Sequence, residues 1–426
     1  MQRLSKLLTV ATLALATFAF AKIALAADLY VATNGTGDGS SWANATNSLQ
    51  GAIDAISGAF TTNMVWVSNG VYEASGVTNY PAGTLLTNRV AIWKAITVRS
   101  ANNDPANTII RGAWASDGNT NGVDAVRCVW MTNKSVLIGF TLTNGATLAT
   151  GTDDTYGGGV LSQGSSVMIS NCVISGNAAF NNGGGVYGDG ILFNDTLSGN
   201  QAKRGGALQS INGTAVLSNC VIVGNFASLY AGGTRMAILY NCSLISNSTP
   251  GYGGATDACT MYNCLLSGNW AGSTGGAIQG GWGGNLYNCT IVSNYAVGSG
   301  GGVYADGAGT RKYNYYNCII YHNASATANS NWAHANDTIT FTNCCTAPAK
   351  ADWPPGNITS EPMFVNKDSG NWRLQAKSPC VNTGTNGSWI TTSYPYDLDS
   401  HIRIRYGTVD MGAYERVYEG AIFGFH

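Results

Sequence analysis

The chain has 426 residues, with 21 Lys and Arg against 22 Asp and Glu, a net charge of −1, and 10% charged residues in all. So few cations and a pI near 6.4 leave no electrostatic footprint for a nucleic-acid partner. With 56 Gly and little charge, the surface must be wetted by Asn, Ser and Thr, and a chain this long stays one elongated domain only if it repeats.

Residues 1–26 read as a secretory signal peptide. Arg3 and Lys6 precede the apolar run Leu7 to Ala21, and Ala24-Leu25-Ala26 is a small-residue cleavage site, with Ala19-Phe20-Ala21 as an alternative. The run is short for a membrane span and no second apolar segment follows. The mature chain is therefore expected to be exported without a transmembrane segment, either secreted or associated with the cell surface or outer membrane.

Residues 28 to about 110 form the first end. Asp28-Leu29-Tyr30-Val31-Ala32 begins a strand, and Leu49, Ala52, Ile53 and Ile56 predict a short amphipathic helix. Such a helix would cover the open interior and unpaired strand edges of a first coil. Val65 to Tyr72 reads as the first clear coil, continued by Ala95 to Ser100 and Thr108 to Gly112.

From Tyr156 to Asn323 three markers recur in constant order. Asn-Cys ends at Cys172, Cys220, Cys242, Cys264, Cys289 and Cys318, with Asn194-Asp195 as a variant and Cys344 as a further copy. A second Asn follows five residues after most copies: Asn177, Asn200, Asn225, Asn247, Asn269, Asn294 and Asn323. Glycine clusters such as Gly205-Gly206 and Gly275-Gly276 lie between. A period in the range of ~20 to 50 residues denotes a stacked array. Within each repeat the apolar residues alternate with period two, as in Ala215, Leu217, then Cys220, Ile222. That pattern gives short strands, and the parity break at the Asn predicts a tight corner in the left-handed backbone region. The fold class is therefore all-β, a right-handed parallel β-helix over residues 27–343, regular over 156–323. Residues 344–426, where Pro replaces the glycine clusters, supply last coils and a cap, with two last strands at Glu361 to Val365 and Trp372 to Leu374.

Gly275-Gly276-Ala277-Ile278 and Gly205-Gly206-Ala207-Leu208 make the middle block similar to the polymorphic outer membrane protein repeat. Tyr30 to Tyr72 resembles the start of secreted β-helices of the pectate-lyase-like superfamily, and Glu361 to Glu415 resembles the choice-of-anchor Q domain of bacterial surface proteins. These resemblances imply the right-handed coil and a secreted or cell-surface bacterial protein.

The repeated cysteines should stack as a ladder of buried thiols, because in-register side chains point the same way rather than at each other. Cys128, Cys259, Cys345 and Cys380 lie off it. Asp195, in a Cys position, is expected to twist outward at the corner.

For chemistry, Asp153-Asp154 is the one acidic pair near the stack, and its Gly-Thr surroundings favour a loop role over catalysis. Asp189, Lys203, Arg204, Arg235, Asp257, Asp306, Arg311 and Lys312 read as scattered charges that do not align on adjacent rungs, so no acidic groove is expected. Gly183 to Gly190 and Gly300 to Gly307, which hold Tyr187 with Asp189 and Tyr304 with Asp306, lack the nine-residue period of calcium repeats. No cofactor is expected; Ca²⁺ at Asp397, Asp399, Asp410 and Glu415 is weighed against ion pairs with Arg403 and Arg405, and the ion pairs are favoured. The candidate ligand-binding residues are Tyr187, Trp270, Trp282, Tyr304, Asp189 and Asp306, where aromatic rings would meet an extracellular polysaccharide or a surface protein.

Overall fold

The computed structural model describes residues 28–57, 62–281, 283–306, 312–327, 330–335, 339–390 and 395–417. The expected signal peptide lies outside them. The repeat is a coil that visits four parallel sheets in turn. In one coil Leu208–Gln209 belongs to sheet I, Ala215–Ser218 to sheet II, Val221–Val223 to sheet III and Phe226–Tyr230 to sheet IV. Thr234–Arg235 then re-enters sheet I one rung on. Stacking gives sheets of ten, twelve, eleven and six strands.

Four left-handed residues turn each coil, the first of them Gly213, Met236 and Ala258 between sheets I and II. Asn219, Asn241 and Asn263 have φ of 55°, 50° and 53° at the corner between sheets II and III, the conformation Asn tolerates best after Gly. Gly224, Ser246 and Gly268 do the same between sheets III and IV, and Ala231, Gly253 and Gly275 between sheets IV and I. The residue after Gly253 is Gly for a different reason. A Cβ on Gly254 would sit 2.1 Å from the carbonyl oxygen of Gly276 on the next rung, so only hydrogen there lets the rungs close to strand spacing.

Inside the tube, Leu217, Leu239 and Met261 face Ile222, Leu244 and Leu266, with Cys220, Cys242 and Cys264 at the corner, none more than 1% exposed. All eleven cysteines are free and buried. Burial pushes the thiols of Cys220, Cys264 and Cys318 far above their usual range, so they pack as small apolar groups. Their S–H groups are not orphaned: Cys220, Cys242 and Cys264 each donate to the carbonyl two residues back, at 3.3, 3.2 and 3.2 Å.

Asp195 corrects the expectation of an outward carboxylate. It occupies the Cys column, 1% exposed, with Oδ1 accepting from Cys172 N at 2.7 Å and Oδ2 lacking a partner among the described residues. Burial pushes its pKa up to about 8, so it is held as the neutral acid at physiological pH. The parity of the strand, not the solvation preference of the carboxyl, decides its direction.

The second Asn of each repeat forms an unbroken internal ladder. Asn177 Nδ2 donates to Asn200 Oδ1, and the same bond runs on through Asn225, Asn247, Asn269, Asn294 and Asn323 at 2.8 to 3.1 Å. Each Nδ2 also donates to a carbonyl of the preceding coil, as Asn247 does to Ile222 O at 2.9 Å. Each Oδ1 also takes the backbone N–H of the Asn before it, as Asn247 does for Asn225. A fully satisfied polar column can be buried; a partly satisfied one cannot.

At the first end, helix α1 (Leu49–Ala55) starts at Ser48, whose side chain accepts from Gly51 N, and buries Leu49, Ala52 and Ile53 against the first coil. Gln50 covers the edge of sheet I. Its Oε1 accepts from Ala91 N at 2.8 Å and its Nε2 donates to Ala91 O at 3.2 Å, an amide standing in for a neighbouring strand. At the other end, the expected last coils near 363 and 372 are instead an antiparallel hairpin, Phe364–Asn366 with Asn371–Leu374. The tail then folds back along the side of the tube. Trp372, Leu374, Cys380, Met411 and Tyr414 pack on Leu265, Val292 and Ile319 in a second core.

The tail grips the outer Asn corners of the last four coils. Asn263 Nδ2 donates to Tyr396 O at 2.9 Å, Trp389 Nε1 donates to Asn288 Oδ1 at 2.9 Å, and Asn317 exchanges two bonds with Thr385. Arg403, fully buried, pairs with Glu415 at 2.6 Å and donates to Asn263 Oδ1 at 3.1 Å. The ion pair expected at the cap is present, but it anchors the tail several coils before the end.

Candidate functional site

Sheet I turns one side chain per rung to its outer face, at the position four residues after each left-handed corner residue. Register places Tyr187, Gln209, Arg235, Asp257, Gln279 and Tyr304 on six successive rungs of one straight row. The scatter of charges expected from the sequence is thus corrected: Arg235 and Asp257 are equivalent positions of adjacent coils.

They form an ion pair, Arg235 Nε to Asp257 Oδ2 at 2.8 Å. The guanidinium also lies 5.6 Å over the ring of Tyr230, which stacks on Tyr252 at 5.3 Å, a cation–π arrangement at the row's edge. Asp257 is 1% exposed, and its other oxygen accepts from Gly281 N at 3.2 Å. Burial pushes its pKa up, opposed by Arg235 and reinforced by the charge of Asp306. A side chain at position 281 would meet Asp257 Oδ1 at 3.0 Å and Asp306 Oδ2 at 3.5 Å, so the two carboxylates converge on this glycine.

On either side of the pair the row is uncharged. Gln279 Oε1 accepts from Thr274 Oγ1 at 2.9 Å. Gln209 is 5% exposed; its Nε2 donates to Ser210 O at 2.9 Å, while its Oε1 has no donor among the described residues. Tyr187 packs its ring 4.4 Å from that of Tyr156, and burial pushes its hydroxyl pKa up to about 12. Beyond Tyr187 the row turns apolar: Leu161 and Trp130 are covered by Val77 and Tyr80.

Of the residues singled out in the sequence, Tyr187, Tyr304 and Asp306 belong to this face. Asp189 holds a turn, accepting from Ser210 Oγ and, at 2.7 Å, from Asn212 Nδ2. Trp270 lies on sheet IV, and Trp282 lies outside the described residues. Asp154 accepts from Leu85 N at 3.2 Å and Leu86 N at 3.0 Å. Next to this acidic pair is a group that sequence reading missed, Arg127. It is fully buried and bonded to Asn88 Oδ1 and to the carbonyls of Asp153, Tyr156 and Gly157 at 2.7 to 2.9 Å. Burial pushes it down to about 9, an effect that the charges of Asp154 and Asp153 oppose.

Among the described residues, one trio has potential metal-ligand atoms within 4.8 Å of one another: Asp397, Asp399 and His401. Its oxygens already serve the tail. Asp397 accepts the amides of Asp399, His401 and Glu415 at 2.9, 2.6 and 2.7 Å, and Asp399 receives Arg373 bidentately.

A scan of protein-family models and a search of curated proteins found no match. Among solved structures, pectate lyase Pel9A aligns over 92% of this chain and 96% of its own, with a TM-score of 0.58 and 17% identity. The chain has the pectate-lyase-type right-handed β-helix fold. A rhamnogalacturonan lyase aligns at TM-score 0.44 and 12% identity over 82% of this chain and 94% of its own. An alginate lyase from Paenibacillus sp. FPU-7 aligns at 0.35 and 14% over 68% and 95%. Among the described residues no helix is long and apolar enough to cross a membrane.

Proposed function

We propose that the chain is an exported carbohydrate-binding β-helix of surface or adhesion type, holding a glycan across the outward row of sheet I without turning it over. The carrying observation is the row itself: amides and a paired Arg and Asp, bracketed by tyrosines, at one rung spacing. Both oxygens of Asp257 are already engaged, by Arg235 and Gly281, which favours recognition over proton transfer. Export rests on the N-terminal leader pattern, and a surface location on the resemblance to outer-membrane repeats and the choice-of-anchor tail.

A second reading is a polysaccharide lyase or glycoside hydrolase. It is favoured by the convergence of Asp257 and Asp306 on Gly281 beside Arg235, because two carboxylates facing one point beside a cation suit acid–base work. The test is a screen of purified protein against polygalacturonate, alginate and neutral glycans. Saturable binding that weakens in Arg235→Gln, with no new reducing ends or unsaturated products, supports recognition. Products that disappear in Asp257→Asn support the enzyme and overturn the first reading.

A further inference from the structure

Sheet IV presents a second array, on a different face of the tube from sheet I. Register aligns Gln201, Phe226, Ser248, Trp270 and Tyr295 on successive rungs. Phe226, Trp270 and Tyr295 are 42%, 39% and 38% exposed, large for aromatic groups on a packed strand. Their rungs are fixed, because the residues facing inward beneath them, Ala227, Ala271 and Ala296, are fully buried and no side-chain movement there is needed to hold the backbone.

At the Phe226 end the strip opens into a groove of about 500 Å³ lined by Phe180, Gln201, Lys203, Asn119 and Asn121 among others. Phe180 is 48% exposed, and Lys203 is the one charged side chain lining the groove. We propose that sheet IV binds an acidic polysaccharide chain lying parallel to the tube axis. Its sugar rings rest on Phe226, Trp270 and Tyr295, and a uronate carboxylate meets Lys203. This inference rests on the carbohydrate-binding reading and extends it, naming the ligand's charge and a second surface.

Three features select this occupant. The aromatic side chains fall on a straight line at multiples of the ~4.8 Å rung spacing, which matches a linear polymer of pyranose rings, each about one rung long, better than an irregular protein surface. Gln201 and Ser248 stand in the row itself and interrupt its aromatic face, whereas an interface with a second copy needs a broad continuous apolar core. The lone cation gives the groove a sign, and a carboxylated sugar complements it.

The experiment is titration calorimetry of the full chain with oligogalacturonate, oligomannuronate and an uncharged glucan of equal length. Three variants are compared: Trp270→Ala with Tyr295→Ala, Lys203→Gln, and Arg235→Gln on sheet I. Lys203, Trp270 and Tyr295 are exposed, and circular dichroism checks that the variants fold. The double aromatic variant is expected to lose about tenfold or more in affinity for an acidic oligosaccharide. Lys203→Gln is expected to lose about fivefold for the acidic ligands and nothing for the glucan, with a flattened salt dependence. Glycan binding that survives both sheet IV variants but falls in Arg235→Gln overturns this inference and leaves the sheet I reading standing. Binding to no glycan by the wild type overturns both. A dimer in sedimentation that depends on Trp270 and Tyr295 assigns the strip to self-association and overturns it as well.

Discussion

Asn177 to Asn323 stand inside the tube, six residues after the corner; Asn171 to Asn343 stand on the corner itself, turned outward. Both columns repeat once per coil, and both are asparagine. The inner column is closed on itself, every amide meeting the next and a backbone carbonyl. The outer column is open. Where no tail covers it, neighbours bond across rungs, as Asn194 does to Asn171 at 3.1 Å; where the tail passes, the same side chains bind it, Asn263 while keeping its bond to Asn241 at 3.0 Å and Asn317 by two bonds to Thr385. In the inner column the amide is required by burial, whereas in the outer one it is selected by backbone angle and its side chain is left over for recognition.

The largest expected effect lies inside. Asn247→Ala leaves Ile222 O without its donor and Asn225 without its acceptor, so it should destabilise the fold by about 3 to 6 kcal/mol, read from the chemical denaturation midpoint. A loss under about 1 kcal/mol would mean that the ladder is decoration. Asp195→Asn sharpens the same point, because Asp195 is the one polar group in the Cys column. Its folded pKa of about 8 lies above the unfolded value of about 4, so the native state holds a proton that the unfolded chain has released between those pH values. Wild-type stability should therefore fall by about 1.4 kcal/mol per pH unit from roughly pH 4 to 8 relative to Asp195→Asn, and the two should converge below pH 4. Parallel stability curves would place the carboxyl in water.

On the outer column the expected effects are smaller and local. Arg403→Met strands Glu415 without its partner and should release the tail at about 3 kcal/mol. Hydrogen exchange should then accelerate over residues 383–415 and at Asn263, while Cys172 to Cys242 keep their protection. Asn241→Ala, on a corner with φ of 50°, should lose about 1 kcal/mol for the left-handed backbone, and Asn241→Gly should recover most of it. Equal losses for Asn241→Ala and Asn247→Ala would erase the distinction between the columns.

The columns themselves were legible in the sequence, because a period of 22 to 29 residues survives any single substitution and each marker answers to one local need. The sheet I row was harder to see. Ala231 takes the left-handed corner that Gly205 and Gly253 take in neighbouring coils. Counting from the glycines therefore shifts Arg235 one place out of line with Asp257. Asp195 was misjudged because solvation and strand parity disagreed, and parity prevailed. Arg403 reaching Asn263 across 140 residues leaves no periodic trace, since the tail contacts the coils without being one.

The sideways tail also gives the tube a direction. In a stack whose rungs touch only their neighbours, fraying begins at whichever terminus is cheaper to peel. Here the four final rungs are strapped together by Tyr396, Trp389, Thr385 and Thr383, so they must come apart as a block, whereas the rungs near α1 can open singly. Pulled or heated, the molecule should unzip from its N-terminal end.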